Sequence, residues 1–385
     1  MGKWWSLLFA AVMAACFGLF LAAPFIPGWW LPEGVSTHSW DIDFLFYVIL
    51  FVTGFFFVLT ETLLVIFMWQ FRERTPEEEA ELEASKSETP GPVMSLIKKW
   101  IPNEQRLELA WTIVPAAILL YIAFAQINTW ADIKYQSRMP KLEKELPFPV
   151  GVSARQFEWR MRYPSPETWL EWQQWQEEAK EDEDTKKKLN RAFRTFGKTP
   201  ALSNVHAPNE LHVWTTPHEH GETKELARED YPSFLVHLST IDVQHNFNIP
   251  HFRVKQDALP GKLIPVWFRP KKANVHYNPE KREWDMDQQW DIACAELCGR
   301  WHYHMVGKVF VHEDEYDFLV WLVVQKARME FSGWGEDDEI EALANIEAQA
   351  VQKEFQSLVD KGLLDSEALK ELRRRPQFRK LLGNG

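Results

Sequence analysis

Residues 294–305 read CAELCGRWHYHM and bring together two thiols, Cys294 and Cys298, an imidazole, His302, and a thioether, Met305. A second imidazole, His245, lies upstream in the stretch DVQHNF. Soft sulfur donors mixed with imidazole suit copper better than magnesium or calcium, and a methionine ligand points away from zinc. Cys298, His302 and Met305, closed by the distant His245, follow the ligand order of a mononuclear blue-copper loop, which leaves Cys294 as one ligand too many. Two thiolates at this spacing can each bridge two metals, so that each copper of a pair sees both sulfurs and one histidine. Met305 and a backbone carbonyl, most simply that of Glu296, then complete one copper each. With no open position, such a site moves electrons with little rearrangement and takes no substrate. The same cysteines also fit a disulfide, which leaves His302, Met305 and His245 without a role, or a structural zinc site, although zinc cysteines are usually spaced C-x-x-C. His304 is off the ligand register and reads as a bystander.

The chain that must position these residues has 385 positions, 46% of them hydrophobic and many in long runs, which implies a membrane anchor plus folded regions. A formal charge of -12 argues against nucleic acid and for a cationic partner. Only three cysteines occur, the third being Cys16 in an N-terminal apolar run, so there is no disulfide framework. That run, residues 4–25, fits a signal peptide, a lipoprotein signal ending at Cys16, or a membrane helix. Its continuation past Cys16 as FGLFLAA favours an uncleaved helix, followed by an interfacial turn with Trp29 and Trp30 that completes a segment 1–40. Apolar runs at 44–69 and 107–127 form a hairpin within 41–130. Arg72, Arg74, Lys98 and Lys99 in the linking loop put that loop in the cytoplasm and the following region outside. Each hairpin run holds or adjoins a carboxylate, Glu61 and Glu108, and a carboxylate within a membrane span is a functional hypothesis by default. Pairing with a neighbouring subunit accounts for Glu61. Glu108 also fits a solvated helix-start residue favoured by the helix dipole.

After Pro140 short β-prone runs take over, among them FPVGVSARQFEWRMRY, ELHVWTT, SFLVHLST, LIPVWFRP, QQWDIACAE and GKVFVHE. Separated by Pro, Gly and Asn, they predict an all-β sandwich or barrel within 131–325. A helical insertion near 165–200 carries Trp169, Trp172 and Trp175 on one face, and 271–289 reads as a polar loop. His218 and His220 read as a solvated pair rather than a metal site. Beyond Val324 the chain reads as a charged helical tail, 326–385, with two candidate helices. No C-x-x-C-H haem-attachment motif occurs.

The pattern C-x-E-x-C-G-x-x-H-x-x-M, with the upstream DVQHNF and VKQDALPG, resembles the dinuclear copper domain of subunit II of haem–copper cytochrome c oxidases over about residues 40–325, apart from insertions. E-x-x-W-T at Glu108 resembles the start of the second helix of that family's hairpin. The resemblance implies a Greek-key cupredoxin domain on the periplasmic side of a bacterial inner membrane, anchored by the hairpin and an extra N-terminal helix and followed here by a helical extension. It implies two copper ions on His245, Cys294, Glu296, Cys298, His302 and Met305, a magnesium shared with subunit I through the Glu296 carboxylate, and no haem c in this chain. Electrons would come from cytochrome c and pass to the haem–copper centre of subunit I for reduction of oxygen to water coupled to proton pumping. Glu108 would lie at the mouth of a proton path and Asp242 near the docking face. Membrane lipid and other oxidase subunits are the remaining partners. The sequence departs from the family at ARQFEWRMRY, where relatives usually read G-H-Q-W-Y-W. Phe157 replaces the tryptophan proposed to receive electrons and Trp159 is retained, the two sharing a strand face as either an electron path or core. Two rivals remain: a quinol oxidase subunit II, whose relatives have lost these ligands, and a membrane-anchored copper electron-transfer protein outside any oxidase, against which the hairpin with Glu108 speaks.

Overall fold

The computed structural model describes the chain except residues 1–2, 71–74, 85–103, 136, 143, 202–203, 217–225, 279, 281–282, 331–339 and 376–385. The loop cations Arg72, Arg74, Lys98 and Lys99 and the pair His218 and His220 lie outside the described residues. The chain divides into two compact units, residues 1–32 with 41–130, and 33–40 with 131–385.

The first unit is built from α1 (Lys3–Ala22), α2 (Ser39–Gln70), α3 (Pro76–Ala84) and α4 (Glu104–Lys134). Three segments, Trp4–Phe25, Ser39–Gln70 and Glu108–Lys134, are long and apolar enough to cross a membrane. They turn large apolar side chains such as Phe51, Phe55, Leu119 and Phe124 outward, an arrangement that suits lipid, where a helix satisfies its own backbone. The hairpin loop holds a helix start: Thr75 and Glu78 exchange backbone and side-chain hydrogen bonds of 3.3 Å ahead of α3, a reciprocal cap. Glu61 turns toward a crevice of about 230 Å³ between α1 and α2, and its Oε2 finds no hydrogen-bond partner among the described residues. Glu108 has an exposed side chain on α4.

The second unit runs β1 (Phe148–Arg155), β2 (Glu158–Tyr163), α5 (Pro166–Glu178), α6 (Glu183–Lys198), β3 (Val205–Pro208), β4 (Glu210–Trp214), β5 (Phe234–Thr240), β6 (His245–Ile249), β7 (Val254–Ala258), β8 (Ile264–Phe268), β9 (Val275–Asn278), β10 (Glu283–Met286), β11 (Trp290–Cys294), β12 (Val306–His312), α7 (Glu315–Glu330), α8 (Ile340–Asp360) and α9 (Ser366–Arg374). Two five-stranded sheets, ordered β3-β2-β1-β5-β8 and β4-β12-β11-β6-β7, face each other across an apolar core. Alternation makes this possible: Phe234, Val236 and Leu238 on β5 are buried while Leu235, His237 and Ser239 between them are only half-buried. The order of apolar helices, β domain and C-terminal helices is the one read from the sequence.

Two segments differ from that reading. Val275–Asn278 and Glu283–Met286, expected as part of a polar loop, pair antiparallel as β9 and β10, with Tyr277 and Trp284 facing each other at ring centroids 5.0 Å apart. The C-terminal region turns helical at Glu315, ahead of Val324. Asp314 caps the new helix by accepting from the Asp317 backbone N–H at 2.9 Å, and the run FLVWLVV is buried between the β domain and α8. The inserted pair α5–α6 is capped by Ser165 and Asp182 and closed by Trp172, which packs on Phe193 and Phe196 at 5.8 and 6.0 Å. Glu315 accepts from Trp169 Nε1 at 2.8 Å and Gln173 Nε2 at 2.7 Å, and Arg375 pairs with Asp314 and Asp317, so insertion and tail are fastened to the start of α7. Trp172→Ala should remove about 3–5 kcal/mol of packing, with protease cleavage appearing within residues 165–200 while metal binding at the β domain is unchanged. Limited proteolysis followed by mass spectrometry checks it.

Candidate metal centre

Strand pairing creates the site. His245 opens β6 and Cys294 closes β11, and these strands pair antiparallel with Cys294 opposite Phe247. Beyond Cys294 the chain makes a loop that returns at Met305 into β12, the Cys294 N–H donating to the Met305 carbonyl at 3.1 Å. A short helical turn, His302–His304, tightens the loop, with the His302 N–H on the Gly299 carbonyl at 3.1 Å and the Met305 N–H on that of His302 at 3.2 Å. Gly299 has φ +133, a conformation that side-chain-bearing residues rarely adopt, and an added Cβ would meet the Gln156 amide at 2.7 Å.

The loop and β6 gather the donors predicted from the sequence. Cys294 Sγ lies 3.8 Å from Cys298 Sγ and 3.8 Å from His245 Nδ1. Cys298 Sγ lies 3.4 Å from His302 Nδ1 and 3.9 Å from Met305 Sδ, and the Glu296 carbonyl oxygen is 3.2 Å from Cys294 Sγ. The ligand atoms of His245, Cys294 and Cys298 fall within 4.8 Å of one another, a cluster able to hold a metal ion. His245 and Met305 are fully buried and both cysteines nearly so, whereas His302 is half-exposed. His304 is exposed, its ring tilted against that of Tyr303 at a centroid distance of 4.2 Å, and the Glu296 side chain is exposed.

Asp242, expected from the resemblance near the docking face, is bonded to the site itself. Its Oδ1 takes His245 Nε2 at 2.9 Å and the Val243 N–H at 2.7 Å, and its Oδ2 takes the Gln156 N–H at 2.7 Å. Burial opposes its charge, but the bonds from Gln156, His245, Val243 and Thr240 outweigh it and hold the carboxyl at about 2. The ionised carboxylate therefore fixes the ring and leaves Nδ1 facing the sulfurs, the usual arrangement behind a metal-bound histidine. Burial, followed by the adjacent Cys294, pushes the Cys298 thiol up to about 12, so metal uptake must release its proton. The expected shared strand face of Phe157 and Trp159 does not form. Arg155 pairs with Glu158, leaving Gln156 and Phe157 as the turn between β1 and β2. Phe157 packs half-buried over Gly299, while Trp159 is fully buried with its ring 6.2 Å from that of His245.

Residues 231–311 match the family described as cytochrome C oxidase subunit II, periplasmic domain, and residues 94–128 match its transmembrane domain. The chain belongs to the cytochrome c oxidase subunit II family. It is 28% identical to the alternative cytochrome c oxidase subunit 2 of Bradyrhizobium diazoefficiens, over 56% of this chain and 76% of that protein. It is 24% identical to cytochrome c oxidase subunit 2 of Cereibacter sphaeroides, over 76% of each chain, and 24% identical to that of Thermostichus vulcanus, over 76% of this chain and 77% of the other. As in that family, this is a multi-pass membrane protein with an extracytoplasmic β domain. The helical insertion and the tail lie outside both matched ranges.

For a subunit II metal site the donor set fits copper on the chemistry of its own atoms: two unpaired thiols, two imidazoles and a thioether, the sulfurs packed in the apolar core, with a separate imidazole beside each thiol. Asp242→Asn should weaken metal affinity by roughly 10–100-fold, since the amide no longer holds the His245 ring as an ionised acceptor. His304→Ala should leave affinity within a factor of about two. Chelator competition on the two variants separates the contributions.

Proposed function

We propose that this chain is the electron-accepting subunit of a haem–copper oxidase, holding a pair of coppers on His245, Cys294, Cys298, His302, Met305 and the Glu296 carbonyl. The observation that carries this reading is the placement of each imidazole Nδ1 beside a different one of two unbonded sulfurs. Bound there, the coppers would supply a one-electron relay between a donor and subunit I. The chain does the rest. Ligands fixed by β6, β11 and a tightly turned loop change position little with oxidation state, the apolar lining keeps water out, and Asp242 orients the inner histidine. Glu296 leaves its carboxylate exposed beside the site, free for a magnesium shared with subunit I.

Electrons arriving from cytochrome c would enter at the half-buried Phe157, which packs over Gly299 next to Cys298, with the buried Trp159 behind it against His245. Electrons tunnel through packed protein, so the aromatic edge needs contact rather than redox activity. Phe157→Leu should open a gap and slow reduction by cytochrome c several-fold with the metal spectrum unchanged. The wild-type rate should fall with salt, since exposed charges are screened beyond about 8 Å at physiological ionic strength. Stopped-flow mixing tests both, and a rate indifferent to Phe157 and to salt places the donor elsewhere.

The subunit role separates from a free copper shuttle by assembly. Mild detergent extraction should bring the chain down with a haem-bearing integral membrane subunit, and Glu108→Gln should slow turnover of that complex several-fold while its copper spectrum stays wild-type. Isolation of the chain without haem, or normal turnover of the variant across pH, contradicts the oxidase assignment or the proton-path role respectively.

A further inference from the structure

One turn joins parts of the metal site that the chain keeps far apart. Gln156 gives its backbone N–H to Asp242 Oδ2 at 2.7 Å, and Asp242 in turn holds the ring of His245. The side-chain amide of the same residue reaches the other way and donates to the backbone carbonyl of Cys298. Gln156 thus touches the support of the inner histidine with its main chain and the ligand loop with its side chain. In the same turn Arg155 Nε pairs with Glu158 at 2.6 Å, a partly exposed ion pair that contributes little. On the opposite side, Gly299 leaves the space that the amide occupies, because a Cβ there would sit 2.7 Å from Gln156 Nε2.

Resting on the dinuclear copper reading above, we infer that Gln156 is a positioning residue. Its amide fixes the peptide that follows Cys298, and so the direction of the Cys298 sulfur relative to Cys294 and His245. The physical reason is leverage. Cys294 is held by a strand ladder, but Cys298 sits in a loop, and the Gln156 amide bonds its carbonyl from the β1–β2 turn, outside that loop. Without the amide donor that peptide can rotate, and the sulfur rotates with it. The backbone N–H that bonds Asp242 is kept in every substitution at 156 except proline, so the two halves of the contact separate experimentally.

The test uses the full-length chain in detergent, loaded with copper, as wild type, Gln156→Leu, Gln156→Glu and Arg155→Gln. Wild type must first give the paired-copper resonance; if it does not, the copper reading fails and not this inference. Given that signal, both Gln156 variants should show altered copper hyperfine splitting, a shifted reduction potential, and loss of copper to a chelator about tenfold faster than wild type. Arg155→Gln should match wild type in all three. If Leu prevents folding, Gln156→Glu, of the same size, decides alone. Wild-type splitting, potential and copper loss in the Gln156 variants overturn the inference. So does an equal change in Arg155→Gln, which would assign the effect to the turn as a whole.

Discussion

The metal centre depends on two thiols, Cys294 and Cys298, being held 3.8 Å apart without joining. Outside the cytoplasm, two cysteines on a free loop would close to a disulfide, with sulfurs about 2.05 Å apart. Here both backbones are anchored. Cys294 ends a paired strand and gives its N–H to the Met305 carbonyl, and Cys298 is carried on a loop turned by Gly299 and closed by the His302–His304 turn. The sandwich exists, in functional terms, to keep that spacing.

The surroundings then decide what the spacing can do. Burial and the neighbouring Cys294 disfavour a bare Cys298 thiolate, and a bound cation would take the place of its proton. The two imidazoles are not equivalent. His245 is buried and anchored to an ionised Asp242, whereas His302 is half-exposed on the loop. One side of the site is therefore rigidly tied to the domain core and the other faces outward, an asymmetry suited to passing an electron from one partner to another.

Much of this was legible in the chain because it is local. The ligand loop is contiguous, so its spacing encodes the donors directly. The long strands announce themselves by alternation, and the membrane helices by composition. What escaped depends on pairing between distant segments. β6 and β7 are short and carry polar residues, so their strand character comes from the partners they meet, and β9 and β10 share one aromatic pair within a polar stretch. Asp242 reads as an acid near the docking face; its bond to the His245 ring carries no signal in the sequence. Gln156 carries no local signal, since its significance lies in reaching Cys298 and Asp242 from a turn far from both in sequence. Helix α7 was hidden for a different reason: an apolar run buried on two sides has the composition of a strand.

Electron paramagnetic resonance of the copper-loaded chain, with the metal content measured on the same sample, tests the central claim most directly. If both sulfurs bridge a pair of equivalent coppers, the oxidised protein binds two coppers per chain and its single unpaired electron gives more hyperfine lines than one copper nucleus allows. One copper per chain with the line pattern of a single nucleus would contradict the account.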